Sequence, residues 1–209
     1  LYPQVGAQNE IWSLSLTDPN ARIFVCDTSG SLVKRIGNLP KRKGRFEKKD
    51  RLYAQVHQGI FSISPNKQWA ATANFYNDYV QVFQHDTLAF TLRGPEKIST
   101  IWKPVKLYGN FQFVITGKTK QTYVGVDAED DALYLLYSGK SESEAPSDFP
   151  QPGWYRALTN EIFVFGWDGS PVKRIVLDRN IIAFCVDSPN KMLYAIDFLS
   201  SDIIAYSLP

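Results

Sequence analysis

Cysteine, histidine and methionine are scarce in this chain of 209 residues: it has two Cys, two His and one Met. A metal centre needs several soft or imidazole ligands close together. Neither an H-E-x-x-H nor a C-x-x-C spacing occurs, so no zinc site is expected. Cys26 and Cys185 lie far apart, each inside an apolar run. They are expected to be buried free thiols on strands of different units, too distant for a disulfide. No run reaches the roughly eighteen apolar residues that a membrane-crossing helix needs. No sustained 3.6-residue apolar stripe is present either, so any helix should be at most about two turns long. A G-x-S-x-G nucleophile elbow is missing. Gly117-Lys118-Thr119 mimics the end of a phosphate loop, but position 112 is Gln where that loop needs glycine. Strand-like Tyr123-Val124-Gly125-Val126 follows it instead of a helix. No cofactor is expected from any of these features.

An excess of one charge is also absent, since the net charge is only +2. Its distribution is uneven. Residues 41–51, Lys-Arg-Lys-Gly-Arg-Phe-Glu-Lys-Lys-Asp-Arg, hold seven basic and two acidic side chains, leaving the remainder net negative. Such a run reads either as a solvated loop or as a contact for an anionic partner. Asp127, Glu129, Asp130 and Asp131 resemble a cation-binding run. They lack the Gly-centred loop of a calcium site and are read as a solvated turn.

What the chain has in quantity is aromatic residues, 14% of the total, in short alternating runs that favour pleated sheet. These runs repeat. Gly59-Ile60-Phe61-Ser62-Ile63-Ser64-Pro65-Asn66-Lys67 is echoed by Phe184-Cys185-Val186-Asp187-Ser188-Pro189-Asn190-Lys191. Leu32-Val33-Lys34-Arg35-Ile36 is echoed by Val172-Lys173-Arg174-Ile175 after a turn at Asp168-Gly169. The grammar is strand, Ser/Pro/Asn turn, strand, longer connection, strand, Asp/Gly hairpin, strand. A period of roughly 45 to 60 residues is the spacing of propeller blades. The expected fold is therefore all-β, a β-propeller of four-stranded antiparallel blades. About three and a half blades are counted in this chain, within a propeller of six. The counted segments are the last two strands of a blade at 21–37, then blades at 57–93, 121–178 and 181–207. The chain is read as a single propeller domain or its C-terminal fragment, with 58–63, 122–127 and 181–187 as innermost, most buried strands.

The segments at 59–67, 134–139, 162–169 and 184–195 together resemble the TolB-like six-bladed propellers of Bacteroides-type bacteria. The resemblance covers residues 20 to 209 and rests on strand and turn residues. It implies an exported protein of the bacterial envelope, in the periplasm or on the outer-membrane or extracellular side. Any membrane anchoring would run through a segment outside this chain.

Function must then come from the loops, because propellers host unrelated activities. In a propeller the connections between second and third strands share a face with those between blades. Three of these are long, at 37–56, 93–122 and 138–160. Long loops in a compact domain are commonly functional. They carry Lys41, Arg42, Arg45, Trp102, Trp154, Tyr155 and Arg156, with His57 at the edge of the first. Cationic and aromatic side chains are what binding hot spots use, although Trp102 and Trp154 would equally serve as caps on apolar edges. An extra hairpin is expected around Phe111-Gln112-Phe113-Val114-Ile115. The function read from this is a non-catalytic binding or scaffold module of the cell envelope, for a protein, glycan or small anionic ligand and not for nucleic acid. The alternative is a hydrolase or lyase acting on an ester, lactone or glycan at the channel mouth.

Overall fold

The computed structural model describes residues 3–40, 50–107, 109–151 and 153–208. The first antiparallel sheet is built in chain order from β1 (Gln4–Val5), β2 (Ile11–Leu14), β3 (Ile23–Cys26) and β4 (Leu32–Ile36). A short helix, α1 (Asp50–Val56), leads to the second sheet. That sheet is β5 (Gly59–Ile63), β6 (Trp69–Asn74), β7 (Tyr79–Gln84) and β8 (Thr87–Arg93). A separate hairpin follows, β9 (Trp102–Leu107) with β10 (Asn110–Ile115), where the alternating Phe111–Ile115 run leads one to expect it.

The remaining strands form one continuous sheet of six. They are β11 (Lys120–Ala128), β12 (Leu133–Ser141), β13 (Thr159–Phe165), β14 (Pro171–Asp187), β15 (Met192–Asp197) and β16 (Ile203–Ser207). The 17 residues of β14 serve two units. Pro171 to Val176 pair with β13, and Ile181 to Asp187 pair with β15. The strand is thus fourth in one blade and first in the next.

Three apolar layers hold these sheets face to face. Trp12, Leu14, Ile23 and Val25 meet Phe61, Ala70 and Phe83. Ala71, Val80 and Val82 meet Tyr123, Leu133, Leu135 and Tyr137. Leu136, Ile162 and Val164 meet Ile181, Leu193 and Ala195. Each fully buried aliphatic side chain stabilises the stack by about 1.5–3 kcal/mol. The alternation along every strand supplies both layers, because successive side chains point to opposite faces.

Turn chemistry fixes the register. Asp27 Oδ1 accepts the N–H groups of Ser29 and Ser31 at 2.9 Å, ahead of Gly30 at φ +85°. Asp168 Oδ1 repeats this with the N–H of Ser170 at 2.9 Å, and Gly169 sits at φ +84°.

Three expectations are corrected. The first unit is expected to contribute only its third and fourth strands, yet β1 and β2 complete a four-stranded sheet. The first strands of the blades are also unevenly buried: β5 is as buried as β6, β7 and β12, which have hydrogen-bonded neighbours on both sides, but the first strands of the two later blades are not. Val124 to Asp127 are only half-buried, since first strands edge the axial side of their sheets. Finally, the thiols are free but not buried: Cys26 is half-buried and Cys185 exposed. Each lies on a terminal sheet, on the face that no other sheet among the described residues covers.

Candidate binding face

Antiparallel strands place alternate connections at opposite ends of the sheets. One end carries α1, the β9–β10 hairpin and the 142–158 connection, together with shorter loops at 15–22, 75–78 and 198–202. Among the described residues the other end carries only tight turns.

The centre of the loop-bearing end is a buried polar network. Arg22, on the approach to β3, is only 1% exposed. Its Nε donates to Thr72 Oγ1 at 3.1 Å, and its terminal nitrogens donate to the His57 carbonyl and to Asn74 Oδ1. Burial lowers its pKa to about 9, so it remains a cation at neutral pH. Because Asn74 Oδ1 faces this cation, Asn74 Nδ2 must be the donor to Asn77 Oδ1 at 2.7 Å and to His57 Nδ1 at 3.0 Å. The His57 ring therefore accepts at Nδ1 and carries its proton on Nε2. Burial, with Arg22 and then Arg93 adding repulsion, lowers its pKa to about 3.

His57 also lines a cleft of about 280 Å³ with Tyr53, Asn77, Tyr79, Arg93, Thr100 and Trp102. The Arg93 guanidinium lies over the Tyr79 ring, 4.7 Å from its centroid. It is loosely paired with Asp78, whose Oδ1 is 3.9 Å away. Asp78 is fully buried, and its Oδ2 accepts the Ile98 N–H at 2.7 Å. Burial raises its pKa, partly offset by the Ile98 N–H and Arg93.

Trp102 leads away from the cleft along a run of aromatic rings. Its ring centroid is 5.7 Å from that of Phe113, and Phe113 is 5.8 Å from Tyr76. Tyr76 has its pKa raised by burial and then lowered by Arg156, which puts the third long connection within electrostatic reach. There Arg156 Nε lies 3.5 Å from Glu142 Oε2. Tyr155 packs edge-on against Phe149 at 5.3 Å, and Lys140 Nζ approaches the Tyr155 ring to 5.6 Å. Trp154 is 52% exposed and tilts against Phe198 at 6.3 Å. Phe149 and Phe198 wall a second hollow of about 530 Å³ with Asn160, Asp178 and Arg179. A third, of about 790 Å³, opens between α1, Leu16 and Phe113.

The sequence-derived candidates therefore separate into two groups, His57 with Trp102 and Trp154 with Tyr155 and Arg156, and Tyr76 stands between them. Lys41, Arg42 and Arg45 lie outside the described residues. His57 is mostly buried and lines the cleft from within, not as a surface group. Sequence reasoning missed Arg22, Tyr76, Tyr79, Arg93 and Phe198. The Phe75-Tyr76-Asn77-Asp78 connection is too short to stand out as a loop, and its paired aromatics were the available signal.

The opposite end is stapled, not open. Asp130 Oδ1 accepts the Asn66 N–H at 2.8 Å, and Asp131 Oδ1 accepts from Ser188 Oγ at 3.2 Å. The acidic turn thus clamps the turns of both neighbouring blades.

Among solved structures, a protein from Lactobacillus plantarum is 13% identical with a TM-score of 0.54. The match covers 99% of this chain and 50% of that one. The WD40 repeats of RRP9 are 9% identical with a TM-score of 0.49, covering 98% of this chain and 50% of theirs. At its identity the likeness to the Lactobacillus plantarum protein shows the fold alone, and the chain spans about half the length of both structures. None of the curated proteins compared matches the chain. The family model described as TolB-like 6-blade propeller-like matches residues 10–189, most of the chain, which therefore belongs to that family.

Proposed function

We propose that this chain is a non-catalytic binding module of a bacterial cell envelope that takes a glycan or small anionic ligand on its loop-bearing face. The observation that carries the reading is the asymmetry between the two ends. Trp102, Tyr76, Arg93, Trp154 and Arg156 all belong to one end, where Arg93 and Trp102 line a hollow of about 280 Å³ and Trp154 packs on Phe198, which walls another of about 530 Å³. Rigid aromatic area and guanidinium groups are the anchors that dominate binding energy. At the other end the polar groups are spent on clamping turns to one another. Membership of the TolB-like family supports a periplasmic or outer-surface location.

The test is retention of the purified chain on immobilised anionic and neutral glycans. Trp154→Ala and Trp102→Ala should each weaken retention by about 1–3 kcal/mol in binding free energy, with little change in melting temperature. Retention unaffected by either change would refute the assignment of this face.

A further inference from the structure

We infer that the cleft floored by His57 and walled by Arg93, Tyr79 and Trp102 binds the carboxylate of a single-ring organic acid. The inference rests on reading the loop-bearing end as a binding face and names the ligand chemistry of one hollow within it.

Four observations converge. First, the Arg93 guanidinium is positioned but not consumed. Tyr79 supports one face of it at 4.7 Å, while Asp78 Oδ1 stays 3.9 Å away, beyond hydrogen-bond distance. A half-exposed guanidinium braced on a ring keeps its N–H fork for a planar, bidentate acceptor, and a carboxylate matches that geometry. Second, the charge behind the cleft is positive. The buried cation Arg22 forms no ion pair among the described residues and is neutralised only by the dipoles of Thr72, Asn74 and the His57 carbonyl. Its field and that of Arg93 outweigh the carboxylate of Asp78, because Glu96, which also acts on Asp78, is ion-paired with Lys120 at 2.8 Å. Third, burial, with Arg22 and then Arg93 adding repulsion, keeps the His57 imidazole neutral, and Asn74 at Nδ1 leaves the ring proton on Nε2. It adds a fixed N–H donor that no physiological change of pH converts. Fourth, the size is restrictive. At about 280 Å³ the cleft is at the small end of ligand pockets, enough for one ring and not for a chain of sugars.

The ring has two chemical sources, a sugar acid or an aromatic acid. Both share the carboxylate, and both offer a flat face to Trp102 or Tyr79.

The experiment uses the full chain with glucuronate and benzoate as probes, and glucose and benzyl alcohol as matched neutral controls. Binding is measured by calorimetry and by the NMR signals of the His57 ring and the Trp102 indole. At least one acid should bind and move both signals, while its neutral counterpart does not. The acid that binds tells which ring source fits. Arg93→Gln should weaken binding by about ten-fold or more, and Arg93→Lys by less, with the fold of each variant checked by melting temperature because Arg93 also faces buried Asp78. Unchanged affinity in Arg93→Gln, equal binding of the neutral controls, or no response to either acid overturns the inference. If the acids instead move Trp154 and Phe198, this cleft is the wrong hollow, yet the loop-bearing face still binds. Shifts centred on the turns at 64–67 or 166–170 refute both readings.

Discussion

Asp127 Oδ2 accepts the backbone N–H of Val186 at 2.6 Å, joining the first strands of two adjacent blades. The same device recurs along the inner side of the stack. Ser62 Oγ accepts the N–H of Ala128 at 3.2 Å, and Gln4 Oε1 accepts that of Ile63 at 2.8 Å. Three of the first strands thus each use one polar side chain to satisfy a backbone donor of the next blade. Burial raises the pKa of Asp127, partly offset by the N–H groups of Val186 and Ala128. The contact therefore needs an acceptor oxygen more than it needs a charge.

Asp127→Ala is expected to cost about 1–3 kcal/mol, because the Val186 N–H loses its partner beside the core. Asp127→Asn should cost less, since its carbonyl oxygen still accepts. Urea unfolding of the two variants at neutral pH checks this. Equal loss in both would mean that the charge, not the acceptor, matters.

Arg22→Lys should destabilise the chain by about 2–3 kcal/mol. An ammonium cannot reproduce the fork that reaches Thr72, Asn74 and the His57 carbonyl together, and it leaves buried acceptors unpaired. Thermal unfolding of the variant measures it, and a melting temperature equal to wild type would show that the network is dispensable.

His57 should remain uncharged in the native protein throughout the mildly acidic range. Its native pKa of about 3 lies below the ordinary 6.5, so the unfolded chain binds the proton more tightly. Its contribution to stability is complete above about pH 6.5. That contribution is lost as pH falls toward 3, at up to about 1.4 kcal/mol per pH unit. A ¹⁵N NMR titration reads this directly, and an imidazolium signature for His57 at pH 5 in folded protein would contradict it.

Lys67 and Lys191 hold the same place in two blades, with φ of 62° and 51°. A lysine is strained in this left-handed region and a glycine is not. Lys67→Gly should be neutral or stabilising by up to about 1 kcal/mol, the relieved strain outweighing the freer unfolded chain. Denaturant midpoints of Lys67→Gly and Lys67→Ala separate strain from side-chain loss. A marked destabilisation by glycine would show that the lysine side chain matters.

The blade pattern was legible because its signals are local. Ser64-Pro65-Asn66-Lys67, Asp27-Thr28-Ser29-Gly30 and Asp168-Gly169 each bound a short apolar run. β5, β11 and the second half of β14 fall where those runs begin. β1 and β2 were not legible. β1 has two residues, and Gln8 and Asn9, both at positive φ, break the segment before β2. Such short strands exist because Gln4 and Trp12 dock on the next blade, which no propensity records. Burial of the first strands held for β5 but was misjudged for the two later blades, because apolar content shows that a strand packs, not how many of its sides are covered.

The candidate binding residues were half legible. Trp102, Trp154, Tyr155 and Arg156 stood out because they interrupt long loops. Arg22 and Arg93 did not, since each sits at the edge of a strand and reads as an ordinary surface charge. Only the stacking of blades turns one into a buried cation and the other into a braced, open guanidinium.

The central claim is that recognition belongs to the loop-bearing end. The most direct measurement compares wild type with two double variants on one array of acidic and neutral glycans and organic acids. Trp102→Ala with Trp154→Ala alters the loop end, and Asn66→Ala with Asp168→Ala alters the turn end, with folding of both checked by melting temperature. The account predicts that the wild type and the turn-end variant bind the same acidic or sugar-like probes while the loop-end variant loses them. Retained binding in the loop-end variant, together with its loss in the turn-end variant, would contradict it.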